Sequence, residues 1–330
     1  MNAYQLPARV SLNSHLFQSG VPDRLRHLIN DIARAGKYVH NAIRTTDLGL
    51  AGSSNQFGEE QLKLDVLSNK VIKEELCESR LVHSYASEEE AVLQELVPDA
   101  PFTVVFDPLD GSSLVDANLA IGSIFGIYEK GDLIGRKASD QLAALYLVYG
   151  PRTILVYTAG KGVHAFFLNE VGEFILLQRN LSMRDEVKTY APGNLRAVVD
   201  TPSYRKMINI WLDEAITLRY SGGMVPDIHH MLIKGAGIFT NVGGSKYPQG
   251  KLRLLYECGP FAYIMEQAGG GASDGHRSIL EIKIHDMDQR TPIIIGAKKE
   301  VKRVCEVLHG NHQHLPAGKK NSKKELNPVL

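Results

Sequence analysis

Apolar residues recur at helical spacing over 22–44, with Leu25, Leu28, Ile29, Ile32 and Val39 near one face, and this predicts an amphipathic helix. A second helix is expected over 60–79, where Leu62, Val66, Leu67, Val71 and Ile72 are among the apolar positions. The Gly/Ser-rich stretch 45–58 between them reads as a loop. Short apolar runs predict strands over 102–106, 121–128 and 153–158, and 163–168 with 173–177 predict a hairpin turning at Asn169-Glu170-Val171-Gly172. A helix over 204–212, a short strand over 235–240 and a helix over 262–267 follow, the last stopped by Gly269-Gly270-Gly271. A last strand is expected over 293–296, and no internal repeat interrupts the series. Helices and strands mixed in this way imply an α/β layered protein.

Composition narrows the class. The chain has 330 residues, 44% of them hydrophobic, enough for a large core or two packed subdomains. A formal net charge of zero argues against non-specific nucleic-acid binding and leaves room for a local basic pocket. No apolar run is long enough to span a bilayer, and the first seven residues lack a basic-then-apolar signal pattern. Cys77, Cys258 and Cys305 are too few and too scattered for a disulfide framework, so a reducing cytoplasm is the expected location. From His309 the composition shifts to His, Gly, Lys and Asn, and Lys319, Lys320, Lys323 and Lys324 give 311–330 the character of a disordered basic tail. Residues 1–21 read as an N-terminal extension.

The candidate chemistry concentrates in Val104-Val105-Phe106-Asp107-Pro108-Leu109-Asp110-Gly111-Ser112-Ser113. A hydrophobic strand runs into two aspartates that bracket a proline, and the proline fixes the backbone between them. An ordinary turn uses the same residue types. Two like charges ~4 Å apart, however, repel by ~4 kcal/mol at an effective dielectric of ~20, a cost that a cation between them removes. Gly111, Ser112 and Ser113 offer backbone N–H groups to a phosphate if a helix starts there. Further acids lie at Glu59, Glu60 and Asp65, at Glu88-Glu89-Glu90, and at Glu257, which closes the apolar run Leu254-Leu255-Tyr256. For Glu88 to Glu90 a solvated helix N-terminus is an equal alternative. Glu257 has apolar neighbours, and a buried glutamate needs a partner or a metal.

Asp107-Pro-Leu-Asp-Gly-Ser-Ser113, Ser87-Glu88-Glu89 and Gly250-Lys251-Leu-Arg-Leu-Leu-Tyr-Glu257 resemble the class I fructose-1,6-bisphosphatases over about 22–310. Ala191-Pro-Gly-Asn-Leu-Arg196, the 218–227 segment, Gly237-Ile-Phe-Thr-Asn-Val242 and Ser273-Asp-Gly-His276 are similar to the sedoheptulose-1,7-bisphosphatase branch. The resemblance implies the layered αβαβα sugar-phosphatase fold in two subdomains, 22–190 with most metal ligands and 191–310 with the substrate residues and Glu257. It further implies hydrolysis of the 1-phosphate of fructose 1,6-bisphosphate with two or three Mg2+ ions, Mn2+ being an alternative, in a homo-oligomer of the tetramer type with neither nucleic acid nor membrane as partner. Glu88, Asp107, Asp110, Glu257 and the Leu109 carbonyl are the implied metal ligands. Glu59 stands where the family has an Asp that helps hold a metal, and the loop over 49–58 just before it is the candidate lid. Glu89 and Asp65 match the acids that orient and deprotonate the water.

On the substrate side the resemblance implies Asp110, Gly111, Ser112, Ser113, Asn194, Arg219, Tyr220, Lys246, Lys251 and Arg253, with Arg219 reaching across from a neighbouring subunit. As bare sequence each of these cations is more often a surface charge. Asn241 replaces a family Tyr, and Pro192-Gly-Asn-Leu-Arg196 replaces an Asn-Glu-Gly segment, so the seven-carbon sugar bisphosphate is an alternative substrate. The AMP-holding loop of animal enzymes and the regulatory cysteine pair of plant enzymes have no counterpart, so no thioredoxin-type switch is expected. An inositol phosphate or nucleotide 3′-phosphate is a further alternative that Lys246 and Lys251 argue against. From another class comes a catalytically silent sugar-phosphate-binding regulator, against which the retained acids argue.

Overall fold

The computed structural model describes residues 9–46, 49–54 and 60–310. Glu59 and the 311–330 tail lie outside these residues, as do parts of the 1–21 extension and of the 45–58 loop.

The chain begins with α1 (Leu12–Gln18) and α2 (Asp23–Thr45), then β1 (Leu50–Ser54), β2 (Glu60–Leu62) and α3 (Lys63–Ser79). It continues with β3 (Val82–Ser87), β4 (Gln94–Glu95), β5 (Phe102–Asp110), β6 (Ile121–Glu129), β7 (Ala143–Tyr149), β8 (Thr153–Thr158), β9 (His164–Leu168) and β10 (Phe174–Gln178). The second half holds β11 (Thr189–Pro192), α4 (Pro202–Asp213), β12 (Thr217–Leu218), α5 (Met224–Lys234), β13 (Ile238–Asn241), α6 (Gly259–Gln267), β14 (Gly271–Ser273), β15 (Ile293–Gly296) and α7 (Lys298–Leu308). β10 to β3 and β4 form one eight-stranded sheet in the order β10-β9-β8-β7-β6-β5-β3-β4, antiparallel except between β3 and β5. The second sheet has five strands in the order β12-β11-β13-β15-β14.

Strand alternation sorts the core into layers. Val104 and Phe106 of β5 point to one side and pack with Leu25, Leu28, Ile29 and Ile32 of α2 and Leu12 and Leu16 of α1. Val105 points the other way, into a cluster with Val225 and Ile228 of α5, Phe261 and Ile264 of α6, and Phe239, Ile293 and Ile295 of the second sheet. Ile238 and Ile294 face outward from that sheet onto Tyr204 and Trp211 of α4 and Val304 of α7. The order is helix, sheet, helix, sheet, helix, the αβαβα arrangement expected.

Several elements differ from expectation. Within 45–58, Leu50–Ser54 is a strand paired antiparallel with Glu60–Leu62, and this pairing delays the start of the next helix from 60 to Lys63. The extension 1–21 contains α1, capped by Ser11 and buried through Leu12 and Leu16. The strand begun at Phe102 continues through Asp110, beyond the expected end at 106. The strand expected over 235–240 is Ile238–Asn241, because Gly235 at φ +63° caps α5. Glu88 to Glu90 follow β3 in a turn and do not open a helix.

Candidate active site

Two residues three apart in a regular strand face opposite sides of the sheet. Asp107 pairs with Ile124 and Asp110 with Gly122, so three steps on β5 match two on β6. This one-residue bulge turns Asp110 onto the face of Asp107. Asp107 accepts the Leu109 N–H at 2.9 Å, and Ser123 Oγ donates to the Pro108 carbonyl at 2.7 Å, which hold the bulge. Gly111, at φ +81°, then starts a single 3-10 turn over Ser112–Leu114. A Cβ on Gly122 would lie 2.4 Å from both the Leu147 carbonyl oxygen and Val225 Cγ1, so only glycine fits opposite the bulge.

The other acids arrive from separate elements. The Glu88 N–H donates to the Phe106 carbonyl at 3.0 Å, which extends the parallel pairing one step past β3 and sets Glu88 beside Asp107. Asp65 sits in the first turn of α3, where its carboxylate accepts the Leu62 N–H at 2.9 Å. Glu257 belongs to a π-helical turn, Leu254–Cys258, and accepts the Arg253 N–H at 2.6 Å. Oxygens of Asp107, Asp110 and Glu257 lie within 4.8 Å of one another, and all three residues are buried. Burial, with the charges of Glu88, Asp110 and Glu257 added, pushes the Asp107 carboxyl well above its ordinary range. Burial also raises Glu257 to about 8 and Asp110 to about 6, the latter opposed by the Val225 N–H that donates to it at 2.7 Å. Asp65 rises to about 6 for the same reason.

These residues line a cleft of ≈ 290 Å³ together with Glu88, Glu89, Leu109, Gly111, Ser112, Ser113, Tyr220, Lys251 and Arg253. Arg253 bridges Glu88 and Asp288, the second at 2.7 Å. Tyr220 donates to the Gly193 carbonyl at 3.2 Å across the cleft. Not every anticipated residue reaches this wall. Asn194 turns its amide to the Val242 carbonyl at 2.8 Å, and its neighbour Gly193 lines the cleft instead. Arg219 is exposed, and Lys246 lies over the Tyr247 ring in a neighbouring depression. Glu59 falls outside the described residues. Sequence reasoning missed Arg290, which lines the cleft, and the first turn of α5, whose N–H groups face Asp110. It also missed Asp227, which accepts the Ser221 N–H at 2.8 Å and so ties down the Ser221–Gly223 turn beside Gly111. A Ser-Gly-Gly sequence before a helix is the signal for that turn. Asn241 stands in the wall with its amide oxygen buried and without a hydrogen-bond partner.

Oxygen-only donors, crowded, buried and raised in pKa, fit a hard divalent cation, which would relieve the repulsion that keeps protons on them. Lys251, Arg253 and Arg290 in the same lining offer positive charge to a phosphate.

Comparison with known proteins agrees with this chemistry. The family described as "Fructose-1-6-bisphosphatase, N-terminal domain" matches residues 8–179, and its C-terminal counterpart matches 183–309. A class 1 fructose-1,6-bisphosphatase of Geobacter metallireducens is 47% identical over 305 residues, covering 92% of this chain and 96% of the relative. The chloroplastic sedoheptulose-1,7-bisphosphatase of Triticum aestivum is 39% identical over 305 residues, 91% of this chain and 77% of its own length. A solved structure of Leishmania major fructose-1,6-bisphosphatase in holo form superposes with a TM-score of 0.87 at 33% identity, covering 92% of this chain and 100% of the other.

Proposed function

Because the chain belongs to the fructose-1,6-bisphosphatase family, we propose that it hydrolyses the 1-phosphate of fructose 1,6-bisphosphate to fructose 6-phosphate and inorganic phosphate, with Mg2+ as the activating ion. The observation that supports this most directly is the buried Asp107–Asp110–Glu257 cluster at the floor of a cleft with Lys251, Arg253 and Arg290 on its walls.

Glu88, Asp107, Asp110, Glu257 and the Leu109 carbonyl would hold the two or three ions, with Glu59 as a further ligand. Bound ions supply Lewis acidity toward the phosphoryl oxygens and lower the pKa of water. Asp65 and Glu89 orient that water, and Asp65, raised to about 6, accepts its proton. The N–H groups of Gly111, Ser112 and Ser113 and the guanidinium of Arg253 hold the phosphate that leaves. Tyr220, Lys251, Lys246 and Asn194 hold the sugar and the distal phosphate, with Arg219 donated by a neighbouring subunit of a homotetramer. The halves 22–190 and 191–310 divide these tasks, in a cytoplasmic enzyme of carbohydrate metabolism. Mn2+ satisfies the same oxygen donors.

Sedoheptulose 1,7-bisphosphate is the second reading. It is favoured by Asn241, whose unpartnered buried amide oxygen offers an acceptor to a sugar hydroxyl. The test is phosphate release from the two sugars side by side, with Mg2+ and with EDTA. Metal-dependent release from the six-carbon sugar supports the proposal, equal kcat/KM on both makes the enzyme dual, and release from neither overturns it and leaves an inositol phosphate substrate or a silent sugar-phosphate-binding regulator.

A further inference from the structure

At the end of α7, two imidazoles from different parts of the chain touch. His309 stands at the C-terminal cap of α7, and His276 lies in the turn that follows β14. His309 Nε2 and His276 Nδ1 are 2.8 Å apart, and both rings are exposed. The other nitrogen of His309, Nδ1, is 2.7 Å from the Cys305 carbonyl oxygen. A carbonyl only accepts, so Nδ1 carries the hydrogen, and in the neutral ring Nε2 is a bare lone pair. His276 is held in its turn by its own N–H, which donates to Asp274 at 2.7 Å.

This is the arrangement of a metal-ligating histidine, whose second nitrogen donates to a backbone carbonyl and thereby fixes tautomer and ring orientation. We propose that His276 and His309 form a second metal site, distinct from the acid cluster, which takes a borderline divalent ion of the Zn2+, Cu2+ or Ni2+ type. The proton now shared between the rings gives way to the ion. Metal–nitrogen bonds of ~2.0–2.1 Å need the two nitrogens only a few tenths of an ångström further apart than they stand. Imidazole selects these ions over Mg2+, which prefers oxygen. The carboxylate of Asp274 is engaged by the N–H groups of His276 and Arg277, so water completes the coordination. The adjoining depression, lined by Asp200, Ser245 and Asp274, leaves room for that water. Bound there, the ion ties the end of α7 to the turn after β14.

The test uses the full-length chain, stripped with EDTA and returned to excess Mg2+ so that the carboxylates are occupied. Cu2+ is then titrated and followed by electron paramagnetic resonance. The expected result is one copper per chain with nitrogen hyperfine structure, displaced by Zn2+. His276→Gln and His309→Gln should each weaken it by ~10-fold or more and leave Mg2+-dependent phosphate release unchanged. Copper binding equal in wild type and both variants overturns the proposal, as does a signal with oxygen ligands only. Because His312 and His314 follow in the sequence, a chain ending at Gly310 is included. Loss of the copper on that truncation, with both substitutions silent, puts the ligands in the tail and overturns the proposal too.

Discussion

Asp110 answers to opposing forces: burial and neighbouring carboxylates disfavour its charge, while the Val225 N–H favours it. Asp110→Asn keeps an acceptor for Val225 and removes one like charge from the cluster. Activity should fall by ~10³-fold or more, roughly 4 kcal/mol of transition-state stabilisation, while the metal-free protein melts at a higher temperature than wild type. Steady-state kinetics and a thermal scan of the EDTA-treated protein check both, and a lower melting point would refute the electrostatic account. His15 gives a prediction of another kind. It is 1% exposed, bonded to Tyr157 at 2.7 Å, and its pKa falls to about 4 because burial penalises the cation, with His164 and Arg179 adding to the effect. The unfolded chain binds a proton near pH 6.5 and the folded one does not until about 4, so this group stabilises the fold above pH 6.5 and the contribution is lost between 6.5 and 4. Urea midpoints of His15→Gln should fall less steeply over that window than those of wild type; parallel curves would sink the idea. The individual acids were legible in the sequence because charge beside apolar residues is conspicuous. The N–H groups of α5, Asp288 and Arg290 were not, since what brings them to the acids is contact between residues far apart in the chain.

At the scale of elements, the bulge in β5 decides where the chemistry stands, and its one local signal is Pro108, since a proline in an interior strand is confined to bulges; the strand was expected to end before the first aspartate. Gly122 is its counterpart. Gly122→Ala drives a methyl into Val225 and the Leu147 carbonyl, so it should cost ~1–3 kcal/mol in urea unfolding and lower kcat by moving the Val225 N–H off Asp110. Gly172→Ala, at φ +78° with no atom near, should cost only ~1 kcal/mol of left-handed strain and leave kcat alone. Equal effects of the two would mean that close packing opposite the bulge is immaterial. Long periodic elements such as α2 and the β9–β10 hairpin were legible because their own patterns suffice. β2 was misread as helix because its partner β1, and not its own composition, makes it a strand. α5 was not anticipated; its Pro226 stands in the first turn, where a proline lacks only an N–H that would go unbonded. α7 carries Val301, Val304 and Val307 on one buried stripe, which helical spacing alone would have revealed.

For the whole molecule, the middle cluster matters most, because side chains from both sheets share it. The single tryptophan, Trp211, lies beyond it in the outer layer, fully buried and bonded to Glu300 at 2.6 Å. If the shared cluster couples the layers, tryptophan fluorescence and far-UV circular dichroism should report the same urea midpoint. An earlier fluorescence transition would show the second sheet melting by itself. The acid cluster is likewise divided, two members from β5 and one from the π-helical turn of the other half. That division has a consequence for synthesis. A ribosome adding ~5–20 residues per second takes roughly 8–30 s to pass from Asp107 to Glu257. During that interval the growing chain has made its two aspartates but not the glutamate that completes their group. A message truncated in this interval therefore yields a polypeptide without a finished acid cluster, and catalytic competence arrives in a single late step.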